Sequence, residues 1–251
     1  MMFKRATPEA IVGHGVQLND VTFAVEGRNI ISALSLDLAE QRVGIVGRNG
    51  SGKSTLARLI TGLIAPTEGS VLVAGVDVAK DRKRAIQAVG ILFQNPDHQI
   101  IFPTVEEEIM FGLTQLGESK VVAKAGAAEV LAQFNRSDWA EKSIYTLSQG
   151  QRHLVCLMAI LVMQPKVIVL DEPYAGLDIP TMRVLNRYLR GLDQQVLHIT
   201  HDPHSLTDYD RVLWIEEGRV HREGSAADVL LAFESEMIRL GDVDDLAHIP
   251  D

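Results

Sequence analysis

The sequence has little of several features that define whole classes of protein. Its single cysteine, Cys156, has no partner for a disulfide within the chain, which suits a reducing compartment. Because Cys156 lies in an apolar run, we expect it to be buried and inert. The 24 lysines and arginines are outnumbered by 33 aspartates and glutamates, for a formal net charge of −9. This balance disfavours broad binding to a nucleic-acid backbone but leaves room for a local basic pocket around phosphates.

Long apolar runs are also missing. The longest, Leu154 to Met163, is about half of what a membrane-spanning helix needs. The start, Met1 to Arg5, is basic but lacks the apolar segment of a secretion signal. With no internal repeat and no low-complexity linker in 251 residues, we expect one large domain or a domain with a subdomain. If such a chain serves a membrane, it docks on a partner.

The most informative stretch is a glycine-rich loop, residues 47–55. It fits the pattern G-x-x-x-x-G-K-[ST] and lies between the apolar run Val43–Val46 and the helix-like run Thr55–Ile60. The pattern in this context predicts a phosphate site, and a plain glycine-rich turn is the alternative. Lys53 is predicted to reach the β- and γ-phosphates, and the Ser54 hydroxyl to bind Mg²⁺. The remaining residues predicted to surround the nucleotide are Gly47, Asn49, Gly50, Ser51, Gly52 and Thr55.

The apolar pattern around this loop predicts an α/β chain. Strand-like runs occupy 16–18, 21–25, 34–38, 69–73, 90–94, 166–170, 195–200 and 211–215, and nearly continuous apolar content suits a parallel sheet covered on both faces. Helical spacing marks 105–113, 121–134 and 149–163, with Thr104 and Glu107 predicted to form a capping box. We therefore predict a nucleotide-binding core, 1–94 and 166–251, with an inserted helical segment, 95–165. The acidic end after Glu234 is predicted to be a solvated helix with a loose end.

Two carboxylates follow the apolar strand Val167–Leu170. Asp171 at the end of a strand beside a phosphate loop is placed to reach Mg²⁺. Glu172 is then placed to act as a general base on an attacking water. A solvated acidic pair is the plain alternative, and the phosphate loop makes it the weaker one.

At this point the chain resembles the ATPase subunit of an ABC transporter, over roughly residues 16–225. The resemblance rests on six places in the family's order. Besides the loop, these are Gln94 (the Q-loop), Leu147 to Gln151 (the signature LSGGQ, with Gln149 in place of its first glycine), Asp171-Glu172-Pro173, Ala175 to Asp178 (the D-loop) and the switch histidine His201. It implies a P-loop NTPase (RecA-like) core with an antiparallel β-subdomain and an inserted α-helical subdomain, using ATP and Mg²⁺.

The resemblance also implies roles for these residues. Two cassettes close head to tail on ATP, so Ser148, Gly150, Gln151 and Asp178 serve the nucleotide from the opposite copy. Ser148 is also a good helix cap, and capping is compatible with phosphate binding. His201 contacts the γ-phosphate and positions Glu172, while Gln94 senses Mg²⁺ and water. The other histidines are expected to be structural.

One departure from the family concerns adenine. The family places an aromatic residue near the end of the first strand pair, and Val25 stands at that position here. Phe23 is two residues earlier and on the same face if the strand period holds, so it is a weak candidate for stacking and more often a core residue. Base selectivity is therefore expected to be loose.

The segment from Asn95 to Ile109 resembles the corresponding region of energy-coupling factor (ECF) ATPases, which drive uptake of vitamins or of cobalt and nickel. Biotin importers are the most similar group and cobalt importers the next. This implies a second ATPase copy, a transmembrane coupling subunit whose arginines meet Asp97, Glu106 or Glu107, and a substrate-binding membrane subunit. The protein is then peripheral, on the cytoplasmic face of the membrane.

Non-transport ABC ATPases are the alternatives. A DNA-maintenance ATPase would need a long coiled coil between the loop and the signature, and a ribosome-associated factor would need two cassettes. Neither feature is present in the sequence, so we expect no nucleic-acid partner.

Overall fold

The structure, a computed structural model, describes residues 15–242. The segment compared with a secretion signal, two of the histidines (His14 and His248) and the last part of the acidic end lie outside the described residues. Within the described range, no helix is both long and apolar enough to cross a membrane.

Strands form two sheets. The strands are β1 Val16–Val25, β2 Arg28–Leu38, β3 Arg42–Val46, β4 Glu68–Val73, β5 Val76–Asp77, β6 Val89–Leu92, β7 Val167–Asp171, β8 Gln195–Ile199, β9 Arg211–Glu216 and β10 Arg219–Gly224. The first sheet is antiparallel, in the order β2-β1-β4-β5. The second has the order β10-β9-β3-β8-β7-β6, parallel throughout except for the hairpin β9–β10.

Helices cover both faces of the second sheet. They are α1 Lys53–Ile60, α2 Arg82–Ala88, α3 Val105–Gln115, α4 Lys120–Gln133, α5 Gln149–Leu161, α6 Ile179–Arg190 and α7 Ala226–Gly241. All residues of β7 and β8 are buried, which explains the apolar run Val167–Leu170 of β7. The fold class predicted from the sequence is confirmed. Helices α3 to α5 fall within residues 95–165, whose status as a separate unit stays a prediction.

Two apolar clusters place the sheet at the centre of the molecule. One joins α1 and the antiparallel sheet to one face of the parallel strands, through residues such as Ile45, Leu56 and Leu197. The other packs α3, α4 and α5 on the opposite face, through residues such as Ile168 and Leu157. Since the parallel strands all point the same way, the loops after β3, β7 and β8 emerge at a single edge.

Some local predictions differ from the structure. The strand predicted to reach Gln94 ends at Leu92, and the sequence reading missed α2, α6 and β10. At α3, Thr104 Oγ1 accepts from the Glu107 N–H at 3.4 Å, but the Glu107 carboxylate accepts from the Thr104 hydroxyl at 2.6 Å. The predicted capping box is thus only half formed, because the carboxylate takes the stronger hydroxyl donor in place of the backbone N–H.

Candidate functional site

The glycine-rich loop follows β3 and lies close against the neighbouring strand β9. A Cβ added to Gly47 would stand 2.2 Å from the carbonyl oxygen of Ile215, so no larger residue fits there. Gly50 and Gly52 have φ angles of +77° and +101°, a region that only glycine enters at low cost. These glycines let the backbone turn back over the end of the strand.

The loop leaves polar groups without partners. Helix α1 begins after Gly52, and no side chain caps its first-turn N–H groups. The Ser51 hydroxyl is buried and has no hydrogen-bond partner among the described residues. Buried orphan donors at the positive end of a helix are the groups that a phosphate satisfies, so the residues present fit a nucleotide phosphate.

Lys53 lies across the loop. Its Nζ donates to the carbonyl oxygens of Gly47 at 2.7 Å and Arg48 at 2.8 Å. Burial lowers the pKa of Lys53, and the nearby carboxylates of Glu172 and Asp171 oppose that shift. The ammonium therefore holds the loop through these two carbonyls, and it must exchange them for phosphate oxygens in order to take its predicted role.

Asp171 and Ser54 meet beside the loop. The Ser54 hydroxyl donates to Asp171 Oδ1 at 3.3 Å. Burial raises the pKa of Asp171, whose relative exposure is 8%. A hydroxyl and a carboxylate are the few protein oxygens that Mg²⁺ needs when phosphate and water fill its other positions. The described residues contain no group of three acidic, histidine or cysteine side chains that could hold a metal ion.

Glu172 is held at the end of β7 by its neighbours on β8. Its φ angle is +50°, unusual for a residue with a side chain, and its N–H donates to the Ile199 carbonyl at 2.9 Å. One carboxylate oxygen accepts from Thr200 Oγ1 at 3.0 Å, and the other lies 2.8 Å from His201 Nδ1. The structure thus brings the two predicted residues, Glu172 and His201, together.

Thr200 was missed as a site residue in the sequence analysis. Its hydroxyl bonds the Glu172 carboxylate and also accepts from the Asp202 N–H at 3.0 Å. One feature of the sequence could have indicated Thr200: it directly precedes His201. Both residues follow β8, which is parallel to β7, the strand that leads to Glu172.

Gln94 stands apart from these groups. It follows the end of β6, and its exposed side chain makes no hydrogen bond to the described residues. Its carbonyl oxygen lies 3.2 Å from His153 Nε2, and nearby Asp97 pairs with Arg152 at 3.0 Å. The segment after β6 is therefore tied to α5, and a sensing role for Gln94 stays a prediction.

The signature residues lie at the start of α5. Ser148 and Gln151 form a complete capping box, with the Gln151 N–H donating to Ser148 Oγ at 3.3 Å and the Ser148 N–H to Gln151 Oε1 at 2.8 Å. Both residues are exposed. Among the described residues, no hydrogen bond joins this motif to Lys53 or Ser54, so one copy does not unite the two halves of the predicted site.

Contacts within the chain involve Gly150 of the signature and Gln149, which stands in place of the signature's first glycine. A Cβ on Gly150 would lie 2.1 Å from Thr181 Cγ2 of α6, so glycine allows close packing. Gln149 extends toward Gly176, where an added Cβ would lie 3.0 Å from the Gln149 amide nitrogen. Asp178 caps α6 by accepting from the Thr181 N–H at 2.9 Å, and hydrogen bonds from Thr181 lower the pKa of Asp178.

Other predictions about single side chains have mixed outcomes. Cys156 is buried as predicted, and burial raises the pKa of its thiol. Phe23 packs against the core. Register shifts on both sides of Phe23 interrupt the strand period, so it does not share a simple face with Val25, which is 48% exposed. Asp97 and Glu106, expected to await a partner's arginines, pair with Arg152 and Lys124 of this chain.

A phosphate loop after a strand of a parallel sheet, with an acidic pair at the end of β7, defines a P-loop nucleotide-binding protein. Comparison with known proteins gives the particular family. Residues 31–175 match the ABC transporter family, and the chain belongs to it. As an ABC ATPase it binds ATP.

The chain is similar to curated proteins along most of its length. It is 53% identical to the biotin transport ATP-binding protein BioM of Rhodobacter capsulatus, covering 86% of this chain and 92% of that protein. It is 36% identical to the energy-coupling factor transporter ATP-binding protein EcfA1 of Mycoplasma pneumoniae, covering 88% and 82%. These matches confirm the predicted resemblance to ECF-type ABC ATPases.

A solved structure is similar in fold. It is a dimeric ATP-binding cassette in a post-hydrolysis state, bound to ADP and phosphate, and the TM-score is 0.71. The sequence identity is 27%, and the match covers 84% of this chain and 98% of that one.

Proposed function

We propose that this chain is the ATPase subunit of an ECF-type ABC importer and that it hydrolyses ATP with Mg²⁺ to drive uptake of a vitamin, with biotin favoured. The observation that carries the catalytic part is the meeting of three strand ends. The loop after β3, the Asp171–Glu172 pair after β7 and the Thr200–His201 pair after β8 come together, and their side chains contact one another.

The residues have distinct tasks in this proposal. The loop N–H groups and Lys53 hold the β- and γ-phosphates, and Ser54 and Asp171 are the residues that would hold Mg²⁺. Bound there, Mg²⁺ offsets the negative charge that develops on the phosphates. Glu172 takes a proton from the attacking water while the water oxygen bonds to the γ-phosphorus and the bond to the β–γ bridging oxygen breaks. Thr200 and His201 hold the Glu172 carboxylate in place.

A second copy of the chain completes the site. Ser148 and Gln151 are exposed and lie on a helix start that has no bond to Lys53 or Ser54 of the same copy. The similar solved structure, which is dimeric with ADP and phosphate bound, supports pairing of two copies. Because one chain carries every motif, a homodimer supplies two such sites.

The membrane partner is proposed to dock in a groove between α2 and α3. This groove, of about 390 Å³, is lined mainly by apolar side chains, including Ile86, Ile91, Phe93, Phe111 and Met163. It borders the segment after β6 that leads to Gln94, so a partner seated there acts directly on the Q-loop. The partner's arginines are not needed for this contact, since Asp97 and Glu106 already have partners within the chain.

Biotin is favoured as cargo because the chain is 53% identical to a protein named for biotin transport. Cargo is selected by a different subunit, so the site residues themselves do not encode it. As the ATPase of such an importer, the chain is peripheral, at the cytoplasmic face of the membrane.

Turnover and uptake test this proposal separately. The purified chain is assayed for Mg²⁺-dependent ATP hydrolysis, and Glu172→Gln is expected to keep ATP binding but lose turnover. Unchanged hydrolysis in Glu172→Gln overturns the general-base role.

The chain is then co-expressed with the membrane proteins encoded beside its gene, and uptake of labelled biotin and of labelled cobalt is measured. Biotin uptake supports the cargo assignment, and uptake of cobalt alone overturns it.

Co-purification tests the docking groove. Ile86→Asp places a charge in the groove and is expected to reduce recovery of the transmembrane subunit. Val121→Asp is the matched control, because Val121 is 80% exposed on α4 and does not line the groove. Equal loss of the subunit with both variants, or with neither, contradicts this docking surface.

A further inference from the structure

The tip of the first hairpin brings Val25 and Arg28 side by side. They are paired across β1 and β2, at the two ends of a turn formed by Glu26 and Gly27, whose φ angles are +50° and +78°. Side chains of directly paired residues extend from the same face of a hairpin. The Arg28 side chain therefore extends from the same face of the hairpin as the side chain at position 25.

Arg28 also lines a cavity that adjoins the phosphate loop. The cavity has a volume of about 540 Å³ and lies between the hairpin, the loop and the turn of β9–β10. Its walls are Arg28, Asn29, Ile30, Ser32, the loop residues 48–51 and residues 216–219. In the described part of the chain, no hydrogen bond or ion pair holds the Arg28 guanidinium, so the group is available to a ligand.

The hairpin and the loop are in close contact. A Cβ on Gly52 would lie 3.0 Å from the carbonyl oxygen of Ile30, only two residues beyond Arg28. The Ser32 N–H donates to the Gly218 carbonyl at 3.1 Å, and the Gly218 N–H to the Ser51 carbonyl at 3.0 Å. A nucleotide whose phosphates lie on this loop therefore has its base or ribose within reach of the hairpin tip.

We propose that the Arg28 guanidinium stacks on the base of the bound nucleotide and so replaces the aromatic ring that Val25 does not provide. The proposal rests on nucleotide binding at the loop, as proposed above. Guanidinium is planar and weakly hydrated, and it stacks on aromatic faces. Val25, beside Arg28, is 48% exposed and carries no π-system, so its side chain offers the base only a small apolar surface.

This contact predicts weak discrimination between bases. Guanidinium stacking engages the face of a base, and every base has such a face. Adenine and guanine nucleotides are therefore expected to bind within a few-fold of each other. The base should add affinity, although its identity adds little.

The test separates contacts to the base from contacts to the phosphates. Affinities of the purified full chain are measured by calorimetry for non-hydrolysable ATP and GTP analogues and for tripolyphosphate, all with Mg²⁺. The variants are Arg28→Ala, Arg28→Lys and Val25→Tyr. Arg222→Ala serves as the matched control, because Arg222 is an exposed arginine on β10 that does not line the cavity. Measurable binding of the analogues to the unmodified chain tests the loop itself and is independent of Arg28.

Stacking predicts a specific pattern. Arg28→Ala is expected to bind both nucleotides about fivefold more weakly and tripolyphosphate unchanged, as loss of a cation–π contact implies. Arg28→Lys keeps the charge but loses the planar group, so its affinity for both nucleotides is expected to lie between those of Arg28→Ala and the unmodified chain. Val25→Tyr is expected to tighten both nucleotides.

Two results overturn the proposal. An equal loss of tripolyphosphate binding in Arg28→Ala makes Arg28 a phosphate contact. Nucleotide binding by Arg28→Ala that matches the unmodified chain removes the stacking role altogether. If the unmodified chain itself fails to bind the analogues, the proposed function fails along with the inference.

Discussion

Helices α1 and α5 both begin at a predicted phosphate contact, yet their starts are built differently. Helix α1 follows Gly52 and has no side-chain cap, and the adjacent Ser51 hydroxyl is buried without a partner. Helix α5 follows Ser148, which forms a full capping box with Gln151. The start of α1 depends on a ligand for its hydrogen bonds, whereas the start of α5 is satisfied by its own side chains.

The difference fits two kinds of contact with the nucleotide. A loop with orphan donors binds phosphate whenever nucleotide is present, even in a single copy. A self-capped, exposed helix start can face water between encounters with a partner and then share its N–H groups with a phosphate. The predictions below test this contrast, from the largest expected effect to the smallest.

Removing the charge of Lys53 at the start of α1 should have the largest effect, a loss of nucleotide affinity. Lys53→Ala loses charge-assisted hydrogen bonds to phosphate, each of about 1.5–3 kcal/mol, so we expect nucleotide affinity to fall by about 100-fold. Calorimetry with a non-hydrolysable ATP analogue measures this. Affinity within a few-fold of the unmodified chain contradicts the assignment of the phosphate site to this loop.

Adding a methyl group at the α5 end should damage packing. Gly150→Ala places a Cβ 2.1 Å from Thr181 Cγ2, and overpacking of this kind costs about 1–3 kcal/mol. Thr181→Ser removes that methyl group, so Gly150→Ala/Thr181→Ser should recover most of the loss in urea unfolding. A double variant no more stable than Gly150→Ala refutes steric conflict as the reason for glycine.

Removing the cap should reveal the self-sufficiency of α5. Ser148→Ala is expected to lower the free energy of unfolding by about 1 kcal/mol, even without nucleotide. Single-copy nucleotide affinity should not change, because Ser148 has no bond to Lys53 or Ser54 of its own chain. A clear loss of affinity in the monomeric protein breaks the contrast between the two helix starts.

Acid should weaken the sheet beneath the α1 end. His198 of β8 is paired with Gly44 of β3 and Leu170 of β7, and burial lowers its pKa to about 3. The folded-state pKa is below the ordinary value of 6.5, so neutral His198 is favoured in the folded protein. The stability that this preference contributes to the folded state is complete above pH 6.5 and is lost as pH falls toward 3. The loss approaches about 1.4 kcal/mol per pH unit.

The slope of stability against pH isolates that effect. Urea unfolding of the unmodified chain and of His198→Asn is compared at pH 7, 6 and 5. The stability of the variant should fall less steeply with acid, whatever its absolute value. Parallel slopes for the two proteins show that His198 does not carry this pH dependence.

Patterns local in sequence predicted much of the molecule. The loop 47–55 and the apolar strands around it were readable because each one's chemistry is contained in a few consecutive residues. Contacts between distant segments were not readable in this way. Thr200 against Glu172, Gly150 against Thr181 and Arg28 beside the loop all depend on how strands and helices pack. The ion pairs of Asp97 with Arg152 and of Glu106 with Lys124 were not readable either, and the expected pairing of these carboxylates with a partner's arginines stays a prediction.

The most direct test of a site shared between two copies is a mixing experiment. Lys53→Ala removes the loop half and Ser148→Arg removes the signature half, so each protein alone should be inactive. In a mixed dimer, one of the two sites joins an intact loop to an intact signature. Where half of the dimers are mixed, we expect about a quarter of the unmodified ATPase rate to return. No recovery, when differently tagged copies demonstrate that mixed dimers form, would contradict a nucleotide site built from two chains.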